Sequence, residues 1–141
     1  MQHKRLVIDA NILIRAVFGT RVRHLIATAT DEVAFYVAEA NYQEATHYLS
    51  ELAPRRGIPE QVWQAALDSL MNAVQLVGDD ELETMAVEAR ERIARRDERD
   101  WPALAAALLL QCPIWTEDQD FFGTGVPTWT TATVHLYLNT R

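Results

Sequence analysis

"KRLVIDANIL", residues 4–13, decides the fold. Leu6, Val7 and Ile8 form an unbroken apolar run. Successive side chains of a strand point to opposite faces, so such a run suits a strand that is covered on both sides, as in a parallel sheet. The run stops at Asp9, and the helical pattern "NILIRAVF" (11–18) follows at once. A strand feeding directly into a helix is the first half of a βαβ unit.

The alternation continues along the chain. "VAFYVA" (33–38) is a second strand, and a helix is expected over about 41–52 with Tyr42, Ala45, Leu49 and Leu52 on one face. "APRRGIP" (53–59), with two prolines and a glycine, reads as a loop. A helix over about 60–72, the run "AVQLVG" (73–78) and an acid-opened helix over about 80–95 come next. "DWPALAAALLLQC" (100–112) is an Ala/Leu helix buried on most sides, with Pro102 in the first turn, where a missing N–H costs least. "PIWT", "VPTWT" and a final helix over about 132–138 complete the pattern. The expectation is an α/β fold: a mostly parallel sheet with helices on both faces. No repeat, low-complexity tract or linker divides the 141 residues, which are read as one domain spanning 1–141.

Hydrophobic residues at 49% and charged residues at 23% fit a globular chain and exclude a disordered one. No apolar run reaches membrane-spanning length, and the start moves into a strand rather than a signal peptide, so a cytoplasmic protein without a membrane partner is expected. Cys112 lies in an apolar stretch with no second cysteine and reads as a core residue. His3, His24, His47 and His135 are scattered without the spacing of a zinc site. The net charge of −7 argues, on its face, against a polyanionic partner. Divalent cations on a carboxylate cluster would reverse the local sign, and the arginines of "RERIARRDER" (90–99) form either a solvated helix face or a steering patch for phosphate.

Open parallel sheets bind ligands at the carboxyl ends of their strands, where strand order reverses. Asp9 ends the first strand, and in "IWTEDQDFF" (114–122) Asp118 follows the fourth. Asp100 opens the buried helix leading to that strand, and Glu44 lies near the start of the helix leaving strand two. Glu51, a further two turns along, sits roughly 10 Å away at ~1.5 Å per residue and is a poor fourth member. Four carboxylates brought together repel one another and either take up protons or bind a cation. Oxygen-only ligands favour Mg²⁺ or Mn²⁺ over zinc, and such ions activate water and stabilise the leaving oxygen of a phosphodiester. Plainer roles compete: Asp9 with Asn11 as a turn and helix cap, Asp100 as an N-cap before Trp101 and Pro102, Glu44 as a solvated helix residue, Asp118 and Asp120 as a polar turn. Trp63, Trp101, Trp115 and Trp129 each adjoin an apolar run and are expected to pack in the core or its rim rather than stack on bases.

"VIDANIL" (7–13) and "RDERDWPALAAALLLQCPIWTEDQDFFGTGVPTWTT" (96–131) together resemble the opening and closing motifs of PIN-domain nucleases. The resemblance implies a three-layer α/β/α sandwich and Mg²⁺- or Mn²⁺-dependent cleavage of single-stranded RNA, often by a homodimer. It also implies kinship with the toxin half of toxin–antitoxin pairs, whose small antitoxin covers the acidic pocket. By resemblance, Asp9, Glu44, Asp100 and Asp118 match the four acids, with Glu39 a competitor for the second. Asn11 matches a supporting amide and Thr116 a bracing hydroxyl, with Asp120 and Asp97 as accessory acids. Asp9, Asp100 and Asp118 would hold metal directly, and Glu44 would hold metal or position a water. The contrasting class is a PIN-like module that only binds nucleic acid or protein; it would have lost ligands, and this chain retains four. A haloacid-dehalogenase phosphatase or a phosphoacceptor receiver would need a lysine at a later strand end, whereas the only lysine, Lys4, precedes the first strand.

Overall fold

The computed structural model describes residues 4–139, so His3 lies outside the described residues. Five strands form one sheet in the order β3-β2-β1-β4-β5: β1 (Lys4–Ile8), β2 (Val33–Ala38), β3 (Val74–Val77), β4 (Ile114–Trp115) and β5 (Thr128–Trp129). Every pair is parallel, so the sheet has no antiparallel edge. The order runs outward from β1 to β3 and then returns to β4 on the other side of β1. The reversal point therefore falls between β1 and β4.

The apolar run of β1 is split between two cores, as its double-sided character requires. Leu6 and Ile8 join Val33, Phe35, Val37 and Trp115 beneath α1 (Ala10–Phe18), α2 (Arg21–Ala29), α3 (Glu39–Arg55), α4 (Glu60–Leu70) and α8 (Val134–Leu138). Val7, Ala38 and Ile114 face α5 (Asp79–Leu82), α6 (Ala86–Ile93) and α7 (Trp101–Leu110). The result is a three-layer α/β/α sandwich. In α7 the residues from Pro102 to Ala107 are all buried, and the run of alanines lets the helix lie close against the sheet. Trp115 and Trp63 are core residues, while Trp101 and Trp129 are half-buried at its rim. Cys112 is buried and free. No helix among the described residues is long and apolar enough to cross a membrane.

Several boundaries differ from the sequence expectation. The helix α2 was not anticipated: its nine residues bury only Val22 and Ile26, too short an apolar face to stand out in a polar stretch. The third helix begins at Glu39 and runs through Pro54 to Arg55, so the expected loop is shortened. Its end is closed where the Ile58 and Gly57 N–H groups donate to the Ala53 and Pro54 carbonyls, a turn that needs the positive φ of 70° at Gly57. The helix expected over 80–95 is divided by a 3₁₀ turn at Glu83–Met85, where the Thr84 hydroxyl donates to the Glu81 carbonyl and competes with the helical pattern.

Candidate active site

Parallel register sets the base of the site. Ile8 pairs with Trp115, and the Asp9 N–H donates to the Trp115 carbonyl at 3.0 Å, so the next residues of the two strands, Asp9 and Thr116, emerge together at the reversal point. Both are buried, and the Thr116 hydroxyl donates to Asp9 Oδ2 at 2.8 Å. Asn11 Nδ2 donates to the same oxygen at 3.1 Å and to Thr116 Oγ1 at 3.2 Å, while Asp9 Oδ1 accepts the Ala10 N–H at 2.8 Å. Asp9 therefore does cap α1, and the cap and the site are one structure. Asn11 Oδ1 accepts the Glu117 N–H and Thr116 Oγ1 accepts the Asp118 N–H, which fixes the chain leaving β4 against the chain leaving β1.

Asp118 then caps a 3₁₀ turn, Gln119–Phe121, by accepting the Asp120 N–H at 2.9 Å. Carboxylate oxygens of Asp100, Asp118 and Asp120 all lie within 4.8 Å of one another, the one such group among the described residues that could hold a metal ion. Asp9, Glu44, Asp100 and Asp118 line one cleft of about 130 Å³ together with Ile14 and Tyr48. A larger hollow of about 260 Å³ between α2 and α8, lined by Leu25 and Leu138 with Asp31 and Glu32, gathers no such cluster. We therefore place the site at the smaller cleft, where the strand order reverses.

The electrostatics reflect the crowding. Burial, opposed by the Thr116 and Ala10 hydrogen bonds and assisted by the charges of Glu44 and Asp118, pushes the Asp9 carboxyl up to about 6. Burial first, then a shared hydrogen bond with Asp118 and the charges of Asp118, Asp9 and Asp97, pushes Asp100 up to about 8. Asp100 makes no side-chain cap to α7, contrary to its reading as an N-cap, and its buried Oδ2 has no hydrogen-bond partner. Its side chain is turned to the other acids instead. An all-oxygen donor set with an unpartnered buried carboxylate oxygen fits a hard divalent cation.

The remaining acids sort by their partners. Asp97 caps the 3₁₀ turn Glu98–Asp100, and its two oxygens accept Arg99 Nε and Nη2, both at 3.0 Å, which holds its carboxyl below the usual range. Glu39 approaches Gly78 at the end of β3 rather than the cleft. Glu51 pairs with His47 at 3.2 Å. Glu44 is exposed on the cleft wall, with buried Asn41 Nδ2 at 3.5 Å from its Oε2. Glu117 turns away from the acids and accepts the Thr131 N–H at 2.8 Å.

Two features were not read from the sequence. Tyr48 and Ile14 form the apolar side of the cleft; Tyr48 lies four residues after Glu44, and that helical spacing was the available signal. The arginine run is neither a plain solvated face nor wholly free. Arg92 Nη1 donates to the Thr124 carbonyl at 3.0 Å and its Nη2 pairs with Glu88 at 2.7 Å, while Arg90 lies over the Trp101 ring. A Cβ at Gly123 would come within 2.8 Å of the Arg96 guanidinium, and one at Gly125 within 2.7 Å of that of Arg92. Both glycines have positive φ, so the loop after Asp118 and Asp120 is shaped to receive Arg92 of α6 and Arg96 of the turn that follows it.

Comparison with known proteins agrees with the fold. The chain has the fold of VapBC2 from Rickettsia felis, bound to a DNA fragment from its promoter (TM-score 0.70, 10% identity, 89% of this chain and 98% of that chain). It is likewise similar to a toxin–antitoxin complex from Klebsiella pneumoniae (TM-score 0.64, 18% identity, 89% and 97%) and to FitAcB from Neisseria gonorrhoeae (TM-score 0.63, 13% identity, 90% and 98%). Comparison with curated proteins gives no significant match. The sequence model of the PIN domain matches residues 7–139, nearly the whole chain, and the protein belongs to the PIN domain family.

Proposed function

We propose that the protein is an Mg²⁺- or Mn²⁺-dependent endoribonuclease that hydrolyses single-stranded RNA, and that it is the toxin of a toxin–antitoxin pair. The observation that carries the reading is the meeting of Asp100, Asp118 and Asp120 within 4.8 Å beside Asp9 and Glu44, with one Asp100 oxygen buried and unpartnered. Family membership supports nuclease chemistry, and toxin–antitoxin assemblies among the similar folds support an antitoxin as partner. A homodimer acting in the cytoplasm accompanies this reading.

A divalent cation held by Asp100, Asp118 and Asp120, with Asp9 beside them, would supply the positive charge that receives a phosphodiester, lowers the pKa of water and stabilises the leaving oxygen. Thr116 and Asn11 hold Asp9 Oδ2 with two donors, so that this carboxylate cannot swing away. Asp118 is fixed through its own N–H and through its cap to Asp120, while Glu44, at the open side, orients the attacking water. In the reaction the water oxygen bonds to phosphorus in line, the P–O3′ bond breaks and the 3′ oxygen takes a proton, leaving 5′-phosphate and 3′-hydroxyl ends.

The test is incubation of the purified protein with single-stranded RNA and Mn²⁺, with and without EDTA, beside Asp9→Asn and Asp118→Asn. Cleavage that EDTA abolishes and both variants lack is expected. Cleavage by both variants at the wild-type rate would refute the site, and a wild type that binds RNA without cutting it would favour a binding module.

A further inference from the structure

The cleft is lined by four acids, Asp9, Asp100, Asp118 and Glu44, and by the apolar bodies of Ile14 and Tyr48, the latter one turn along α3 from Glu44. Tyr48 leaves 45% of its surface exposed although it stands beside carboxylates, where an aromatic ring gains nothing from the protein's own core. Its neighbour His47 lies edge-on to it at 5.9 Å between ring centroids and 64° between planes, and His47 pairs with Glu51. An exposed aromatic ring at the mouth of an acidic cleft suits a ligand that carries a flat apolar group next to an anion. Arg99, paired with Asp97, also feels the charge of Asp100 and the Tyr48 phenol, and its side chain is 90% exposed.

We infer that Tyr48 is a base-stacking subsite, which receives the unpaired nucleobase flanking the scissile phosphate, with Arg99 at the rim contacting the neighbouring phosphate. The inference rests on the nuclease reading for its substrate and adds how a single strand is gripped: by a π-face rather than by hydrogen bonds to base edges. Such a subsite tolerates any base and rejects a duplex, because stacked and paired bases cannot reach the ring.

The test compares wild type with Tyr48→Ala, Tyr48→Phe and Arg99→Ala by fluorescence anisotropy. The probes are a labelled ten-nucleotide oligouridylate and the matching strand of abasic tetrahydrofuran units, each in Ca²⁺. Tighter binding of oligouridylate than of the abasic strand by wild type is expected. Tyr48→Ala should weaken oligouridylate binding by roughly 5- to 100-fold and leave the abasic strand unchanged, while Tyr48→Phe, which keeps the ring, stays within about twofold of wild type. Arg99→Ala should weaken both strands alike. Equal affinity of the wild type for the two strands, no binding of either, or an unchanged Tyr48→Ala would overturn the subsite. Kinetics with Mn²⁺ separate this inference from its foundation. Base-dependent binding through Tyr48 without cleavage would sink the nuclease reading alone, whereas cleavage with a KM indifferent to Tyr48→Ala would sink the subsite alone.

Discussion

Replacing Asp100 with asparagine should make the metal-free protein more stable, by an amount that grows as pH rises from about 4 and is complete above about 8. The carboxyl is raised from 3.8 to about 8, so between those values the folded protein holds a proton that the unfolded chain has released. Stability of the metal-free wild type therefore falls as pH rises from about 4 to about 8 and is level above that, the sign required when the native state binds more protons. A shift of that size corresponds to about 6 kcal/mol for a sealed group. Asp100 is half-exposed, and solvent screening leaves about 1–2 kcal/mol. Asparagine carries permanently the donor that the protonated acid offers to Asp118, without the charge. Thermal melts followed by circular dichroism in EDTA should show Asp100→Asn melting roughly 3–8 °C above wild type at pH 8.5, with the gap closing toward pH 4. A gap that is absent or negative at pH 8.5, or that does not change with pH, would refute the reasoning.

Three further substitutions probe the surrounding structure. Asp9→Asn should gain less metal-free stability than Asp100→Asn, because Asp9 Oδ2 accepts from both Asn11 and Thr116 and an amide nitrogen there accepts from neither; parallel melts at pH 8.5 measure the difference. Thr116→Val removes the hydroxyl that donates to Asp9 and accepts from Asp118 N–H, so it should destabilise by about 1–3 kcal/mol in urea titrations. The same change should raise the Asp9 carboxyl further, as followed by ¹³C NMR titration. Arg92→Ala strips the partner from the carbonyl of buried Thr124, with an expected loss of about 1–2 kcal/mol and weaker Mn²⁺ binding as the arm carrying Asp118 and Asp120 loosens; urea and Mn²⁺ titrations of one sample check both.

What the sequence disclosed, and what it withheld, follows from the range of the interactions. Leu6, Val7 and Ile8 declare a two-sided strand because burial on both faces acts within three residues. Asp9 and Asp118 were legible as neighbours because the α/β alternation fixes which strand ends share an edge. The meeting of Asp120 with Asp100 depends instead on the tight turn that Asp118 caps, and side-chain direction within a 3₁₀ turn leaves no periodic trace. By resemblance Asp100 matches one of the four acids and Asp97, three residues before it, an accessory; Asp97 is taken up by Arg99 and Asp100 faces the cleft. The contact of Arg92 with Thr124 spans 32 residues and joins a charged run, read as a solvated face or a steering patch, to a glycine loop. The helix α2 escaped notice because two buried side chains suffice to seat it.

The central claim, that these carboxylates form a cation site, is tested most directly by Mn²⁺ titration followed by electron paramagnetic resonance, in which bound ion loses the sharp signal of free Mn²⁺. Saturable binding by wild type that is lost or weakened at least about tenfold in Asp118→Asn, with the variant still folded, is the predicted result. Binding of equal strength and number in wild type and Asp118→Asn would contradict it.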